Sequence, residues 1–228
     1  MGVAKSVYRF LHIGIGTYID RRFDKRFGTD TGGYTAPSEL DVVAKDQEAA
    51  FEFLPTPERA FKHMIGQLTI EPADFTFVDF GSGKGRTLIL AALHQFKQSI
   101  GVEFSERLSR IAQSNIQQLS RDAFDGDNIQ AIHVDALEFE IPDGPCVLYF
   151  YSPFRSPIID QVLENIRQSH SNKSRPIHIV YLDYVDSEFP IPHQLLNQSP
   201  FKHRISGPIP FDFANLEPLH FSVYSTEM

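Results

Sequence analysis

One cysteine stands in a chain of 228 residues, and that scarcity excludes two frames at once. Cys146 has no partner for an internal disulfide, and a cysteine-cluster zinc site has no ligand set. It sits in an apolar run and reads as a core residue of a reduced protein. No hydrophobic run approaches the roughly 18 apolar residues that a membrane-crossing helix needs. The mildly apolar stretch 10–19 is broken by His12 and lacks a small-residue cleavage site, so it is a poor signal peptide. Met1-Gly2 with Ser6 fits a myristoylation pattern that is short and frequent by chance. There is no internal repeat and no low-complexity tract. The nine histidines show neither H-E-x-x-H nor any tight ligand spacing, so no metal is expected. A basic excess is missing too. Lys plus Arg is 21 against 29 Asp plus Glu, a net charge of −8, which argues against a nucleic-acid surface. A soluble cytoplasmic protein is the expectation.

What is present suffices for a core, since 42% of residues are hydrophobic. The chain divides by composition into an amino-terminal arm, 1–46, and one domain, 47–228. Residues 1–28 carry a net +4, so the remaining 200 carry −12. Within the arm, FGTDTGGYTAP (27–37) is dense in Gly, Thr, Asp and Pro and reads as loop. It is too polar for core, yet Phe23, Phe27 and Tyr34 flank it and need a surface to pack on. That combination predicts a lid formed by residues 20–37.

From Thr56, set to cap a helix that opens with Pro57, the pattern becomes regular, with Phe61, Met64, Ile65 and Leu68 on one helical face. Strands are predicted at Phe75–Phe80, Ser99–Glu103, Ile129–Val134, Pro145–Tyr151 and Ile177–Leu182. Helices between them run over Thr87–Phe96, from Ser105 through Leu119, and over Ile158–Ile166. Phe201–Ile205 and His220–Tyr224 read as an antiparallel pair at a sheet edge. His133 is placed in the core, and His178 needs a hydrogen-bond partner. The alternation is that of an α/β doubly wound sheet, whose ligand lies beyond the carboxyl ends of the strands.

Those ends hold a coherent set of residues. The first is DFGSGKGR, with Asp79, Gly81, Ser82, Gly83 and Gly85, where glycines allow positive φ and close approach of a ligand to the backbone. The turn opens a helix whose N-terminal N–H groups favour a polar or anionic group. Glu103 follows 18 residues after Gly85 and is placed to accept from both hydroxyls of a ribose. Asp135-Ala136 ends the third strand and YFYSPF (149–154) the fourth. A dinucleotide-binding oxidoreductase also combines glycines with an acidic ribose binder, but Arg86 stands where the G-x-G-x-x-G fingerprint has its last glycine.

VDFGSGKGR, IGVEFSERL, HVDALEF and YFYSPF together resemble the successive motifs of class I S-adenosylmethionine-dependent methyltransferases. The first two are especially similar to the Dot1-like and related bacterial enzymes. The resemblance implies a Rossmann-like seven-stranded sheet and S-adenosyl-L-methionine as cofactor. It implies that Asp79 and the Gly81–Gly85 turn hold the methionine part, with the Thr56 hydroxyl near the carboxylate. Glu103 would hold the ribose and Phe104 the adenine face, with Asp135 and Ala136 at its edge. Tyr151, Ser152, Pro153 and Phe154 would face the acceptor, Ser152 standing where amino-directed relatives place Asn or Asp. Tyr151, Asp183 and Tyr184 are candidates for accepting a proton. The acceptor is a protein side chain or a small molecule. An NAD-linked oxidoreductase and a cofactor-binding protein without transferase activity are the rival readings. On this reading, removing the Glu103 carboxylate weakens cofactor binding and leaves the unliganded fold nearly as stable as before.

Overall fold

The computed structural model describes residues 16–36, 41, 53–119, 128–185, 192–211 and 218–226. The myristoylation pattern at Met1-Gly2 and Ser6, and the first part of the apolar stretch 10–19, lie outside them. A helix, α1, runs over 16–27. It is followed by α2 (Glu58–Ile65), β1 (Thr76–Phe80), α3 (Arg86–Leu93), β2 (Gln98–Glu103) and α4 (Glu106–Leu119). Then come β3 (Ile129–His133), β4 (Cys146–Tyr151), α5 (Ile158–Asn172) and β5 (Ile177–Tyr184). A short α6 (His193–Leu196) precedes β6 (Phe201–Pro208) and β7 (Leu219–Thr226). Among the described residues no helix is long and apolar enough to cross a membrane, and no group of three or more His, Cys, Asp or Glu is placed to hold a metal ion.

The seven strands form one sheet in the order β3-β2-β1-β4-β5-β7-β6. The first five are parallel, and β7 inserts antiparallel between β5 and β6. The order reverses between β1 and β4, so a crevice opens there beyond their carboxyl ends. β1 and β4 are apolar almost throughout because helices cover both of their faces. Alternate residues therefore enter two separate cores. Phe77, Val147 and Tyr149 pack with Phe61 and Met64 of α2 and Ile89 and Leu90 of α3. Val78, Phe80, Leu148 and Phe150 pack with Ile159, Val162 and Leu163 of α5. On that second face the rings of Phe80, Phe150 and Tyr181 stack at centroid spacings of 4.8 and 5.8 Å. Asp79, Tyr149 and Tyr151 alternate to the first face, which is where the crevice lies.

Two local expectations are corrected and a third is met. Thr56 does not cap α2. Pro57 precedes the first turn with no side-chain cap, and the Thr56 hydroxyl is instead 2.9 Å from that of Tyr149. His133 is exposed, because β3 is the outer strand of the sheet, and its Nε2 lies 3.0 Å from the Phe104 carbonyl. His178 has its partner in the Ser225 hydroxyl at 2.7 Å.

The arm does not form a separate core. Phe23 of α1 is buried in the same cluster as Phe61 and Met64, with Phe27 at 4.8 Å between ring centroids. Replacing Phe23 with Ala should therefore destabilise the whole domain by ~3 kcal/mol or more, the usual result for a buried aromatic. Chemical denaturation checks this, and an unchanged midpoint would place α1 outside the core.

Candidate functional site

The turn from β1 into α3 is fastened to the end of β2. The N–H groups of Gly81 and Ser82 donate to the Val102 carbonyl at 2.9 and 3.1 Å. The Gly83 N–H donates to Glu103 Oε2 at 2.7 Å, and the Ser105 N–H donates to Oε1 at 2.8 Å. Gly81 and Gly83 have φ of +83° and +53°. A Cβ on Gly81 would stand 2.7 Å from Pro153 Cβ, and one on Gly83 only 2.1 Å from the Phe53 ring. Only glycine supplies both the backbone conformation and the space. Glu103 is buried, which pushes its pKa up, while the Ser105 and Gly83 N–H groups oppose that shift.

Asp79, on the last pleat of β1, is also buried. Burial pushes its pKa up to about 7, the Thr87 hydroxyl works against the shift, and the Glu103 carboxylate adds to it. Thr87 donates to Asp79 Oδ2. Two carboxylates thus lie close together with no cation paired to either among the described residues.

Beyond these strand ends lies an open cleft with about 1080 Å³ of empty space, mouth included. Eleven of the expected residues line it: Thr56, Asp79, Gly81, Ser82, Glu103, Phe104, Asp135, Ala136, Tyr151, Pro153 and Phe154. Gly83 lies under the Phe53 ring, and Gly85 forms the left-handed N-cap of α3. Ser152 is turned away. Its backbone has φ +36°, its hydroxyl donates to the Leu182 carbonyl at 3.3 Å, and it also meets the Tyr181 hydroxyl. The three proton-acceptor candidates separate. Tyr151 lines the cleft, with Tyr184 behind it at 6.0 Å between centroids. Burial and then the Tyr184 neighbour hold the Tyr151 pKa well above the usual phenol range, so it remains protonated. Asp183 accepts from the Tyr184 N–H at 2.7 Å and lies outside the cleft wall.

Sequence reasoning missed Phe53, Leu54, Pro55, Arg86 and Tyr149, all of which line the cleft. Arg86 was visible as a departure from a glycine fingerprint but carried no signal of its direction. Phe53 reaches the site through exchange of two backbone hydrogen bonds with Thr35 of the arm, at 2.9 and 3.2 Å.

The model of the family described as "Histone methylation protein DOT1" matches residues 56–140, just over a third of the chain. No curated protein sequence matches. Among solved structures, a SAM-dependent methyltransferase from Aquifex aeolicus superposes with a TM-score of 0.55 at 10% identity, covering 75% of this chain and 94% of that one. TrmK of M. capricolum, solved with S-adenosyl-homocysteine, gives 0.53 at 15%, covering 73% and 67%. The mitomycin 7-O-methyltransferase MmcR gives 0.52 at 16%, covering 75% of this chain, which spans only 53% of that longer protein. These likenesses establish the fold, and the family match spans the glycine turn and Glu103. The chain has the fold of the S-adenosylmethionine-dependent methyltransferases.

The cleft residues fit S-adenosylmethionine on local grounds. The glycine cradle leaves no room for a Cβ. Two buried polar atoms on lining residues, Ser82 Oγ and Arg86 Nη2, have no partner among the described residues. The raised pKa of Asp79 generates a test. The folded protein keeps this proton in a range where the unfolded chain has released it. The stability it contributes is complete below about pH 4 and is lost as pH rises towards 7. Without cofactor, Asp79→Asn should remove a decline of up to about 1.4 kcal/mol per pH unit across that window. Equal slopes for variant and parent in denaturation from pH 4 to pH 8 would contradict the assignment.

Proposed function

We propose that the cleft seats S-adenosylmethionine with its methionine part at Asp79 and the glycine turn, its ribose at Glu103 and its adenine between Phe104 and the Asp135-Ala136 edge. What carries this reading is the buried Glu103 carboxylate at the cleft wall. Each of its oxygens already accepts one backbone N–H and retains a lone pair for a ribose hydroxyl. Ionised Asp79 takes the ammonium group, which supplies the cation that the carboxylate pair lacks. The Asp135 side chain holds its own turn by accepting from the Leu137 N–H at 2.9 Å, which fixes the backbone at the adenine edge.

The cofactor's sulfonium supplies a methyl group that is already activated, so the protein's task is positioning and exclusion of water. The family match stops at residue 140, before β4, and so speaks for the cofactor half and not for the acceptor. We infer the acceptor from the wall that remains. Tyr151, Pro153 and Phe154 present aromatic and apolar surface, and the Ser152 hydroxyl is engaged by β5. An acceptor that arrives neutral, aligned by an apolar portion, suits that wall. A protein side chain or a small molecule fits this description, and the −8 net charge disfavours nucleic acid.

Incubation with cofactor labelled in the methyl group, followed by separation of a lysate into protein, nucleic acid and small molecules, tests the acceptor class. Label in protein or small molecules is expected, and label in nucleic acid would overturn the assignment. Cofactor binding with no label anywhere would favour a binding protein without transferase activity. For the ribose seat, hydrogen bonds to a charged group contribute about 1.5–3 kcal/mol each, so Glu103→Ala should weaken S-adenosylhomocysteine at least about tenfold. The variant should also melt earlier without ligand, because two backbone N–H groups lose their acceptor. This corrects the expectation of an unaffected fold. Unchanged affinity in calorimetry would remove Glu103 from the ribose.

A further inference from the structure

Helix α1 sorts its charges by face. Tyr18, Arg21, Arg22, Lys25 and Arg26 are all exposed, and they recur at the i, i+3, i+4, i+7, i+8 spacing of one helical face. The opposite face holds Asp20, Phe23, Asp24 and Phe27. Phe23 is buried in the core and Phe27 packs against it. Both acids are engaged on that inner side. Asp20 pairs with Arg86 and accepts from the Gly33 N–H at 3.2 Å. Asp24 accepts from the Thr29 and Thr31 hydroxyls at 3.0 and 2.7 Å, and from the N–H groups of Thr31 and Gly32 at 2.8 and 3.0 Å. Of the charged groups of α1, only cations face outward. Arg21, Arg22 and Lys25 form no ion pair among the described residues.

The basic surface continues onto α2. Arg26 meets Glu58 at 3.4 Å, with both side chains at least half exposed. Arg59 and Lys62 are exposed beyond it. On α1 and α2 together, Glu58 is the one exposed acid against six exposed cations, in a chain whose net charge is −8. An exposed aromatic ring marks each end of this surface. Tyr18, 62% exposed, stands at the start of α1. Phe211, 60% exposed, lies beside α2, where its carbonyl accepts from Arg59 at 3.0 Å. The sequence that leads into α1 repeats the combination, since residues 1–15 contain Lys5, Arg9, Phe10, Leu11, Ile13 and Ile15 and no acid.

We propose that the outer face of α1, continued over α2, is a docking surface for an anionic lipid bilayer. Charge complementarity selects a polyanion. A row of cations flanked by exposed rings and preceded by apolar residues suits the headgroup region, where lysine and arginine meet lipid phosphates and rings enter the acyl boundary. A nucleic-acid duplex would satisfy the cations but give the apolar residues ahead of α1 nothing to enter. Screening confines each charge's influence to about 8 Å at physiological ionic strength. Contact is therefore governed by this patch, and the negative remainder of the chain favours the orientation that presents it. The proposal is independent of the cofactor, because none of the six cations lines the cleft.

Co-sedimentation of the full-length protein with vesicles tests it. Vesicles of phosphatidylcholine mixed with phosphatidylglycerol should capture the chain, and vesicles of phosphatidylcholine alone should not. Each lysine or arginine near an anionic surface strengthens attachment about fivefold. Arg21→Gln, Arg22→Gln and Lys25→Gln combined should therefore weaken capture by about thirtyfold or more. The triple variant should keep the parent's melting temperature, which separates lost docking from lost folding. The chain has no tryptophan, so Tyr18→Trp supplies a lone reporter whose emission should shift to the blue with the anionic vesicles only. The comparison of the two vesicle types on the parent protein needs no variant to fold. Equal capture by both types, capture by neither, or undiminished capture of the folded triple variant would overturn the proposal. Retention on a nucleic-acid duplex in place of the vesicles would reassign the surface and equally overturn it.

Discussion

The Glu103 carboxylate joins two turns that would otherwise have no reason to meet. Oε2 accepts from Gly83 in the β1–α3 turn, and Oε1 accepts from Ser105 ahead of α4. Buried N–H groups must find acceptors, and here a side chain at the end of β2 supplies them from within the sheet. The consequences extend outward. The glycine turn takes its left-handed conformations, α3 starts at Arg86, and Ser105 is fixed where its Oγ accepts from the Leu108 N–H at 3.2 Å to cap α4. Burying the charge raises its pKa, and the two N–H bonds offset part of that penalty.

The same fastening explains why the arm docks where it does. Lys84 and Arg86 leave the turn on its outer side, and the Asn115 side chain of α4 faces them. The Asn115 carboxamide accepts from the Asp30 N–H at 2.8 Å and donates to the carbonyls of Asp30 and Lys84 at 3.0 and 2.9 Å. Backbone polar groups of a loop so rich in Gly and Thr need partners when they lie against protein, and this surface provides them. Phe23 adds the apolar anchor. Stability and binding therefore overlap in this region, because residues that hold the arm also line or support the cleft.

Strand alternation separates the two chemistries of β4. Phe150 stacks between Phe80 and Tyr181 on the α5 face, whereas Tyr149 and Tyr151 line the cleft with Asp79. One residue later the positive φ of Ser152 turns the chain, sending its hydroxyl to β5 and leaving Pro153 and Phe154 at the cleft. Acceptor-side character is thus aromatic because of pleat and turn geometry together.

Much was legible in the sequence because it is encoded locally. The glycine spacing, the acid 18 residues on, the apolar strands and the late hairpin are patterns within short windows, and they locate the strand ends where a cofactor site belongs. Tertiary structure decided what depends on distant partners. Thr56 has the residue type and position of a helix cap, yet Tyr149, 93 positions away, takes its hydroxyl. His133 sits in a strand pattern, but the place of β3 at the sheet edge exposes it. Arg86 looked like a broken glycine motif until Thr31, 55 positions earlier, and Asp20 showed where its guanidinium points. Such side chains carry several hydrogen-bonding options of comparable energy, and only the folded neighbourhood selects among them.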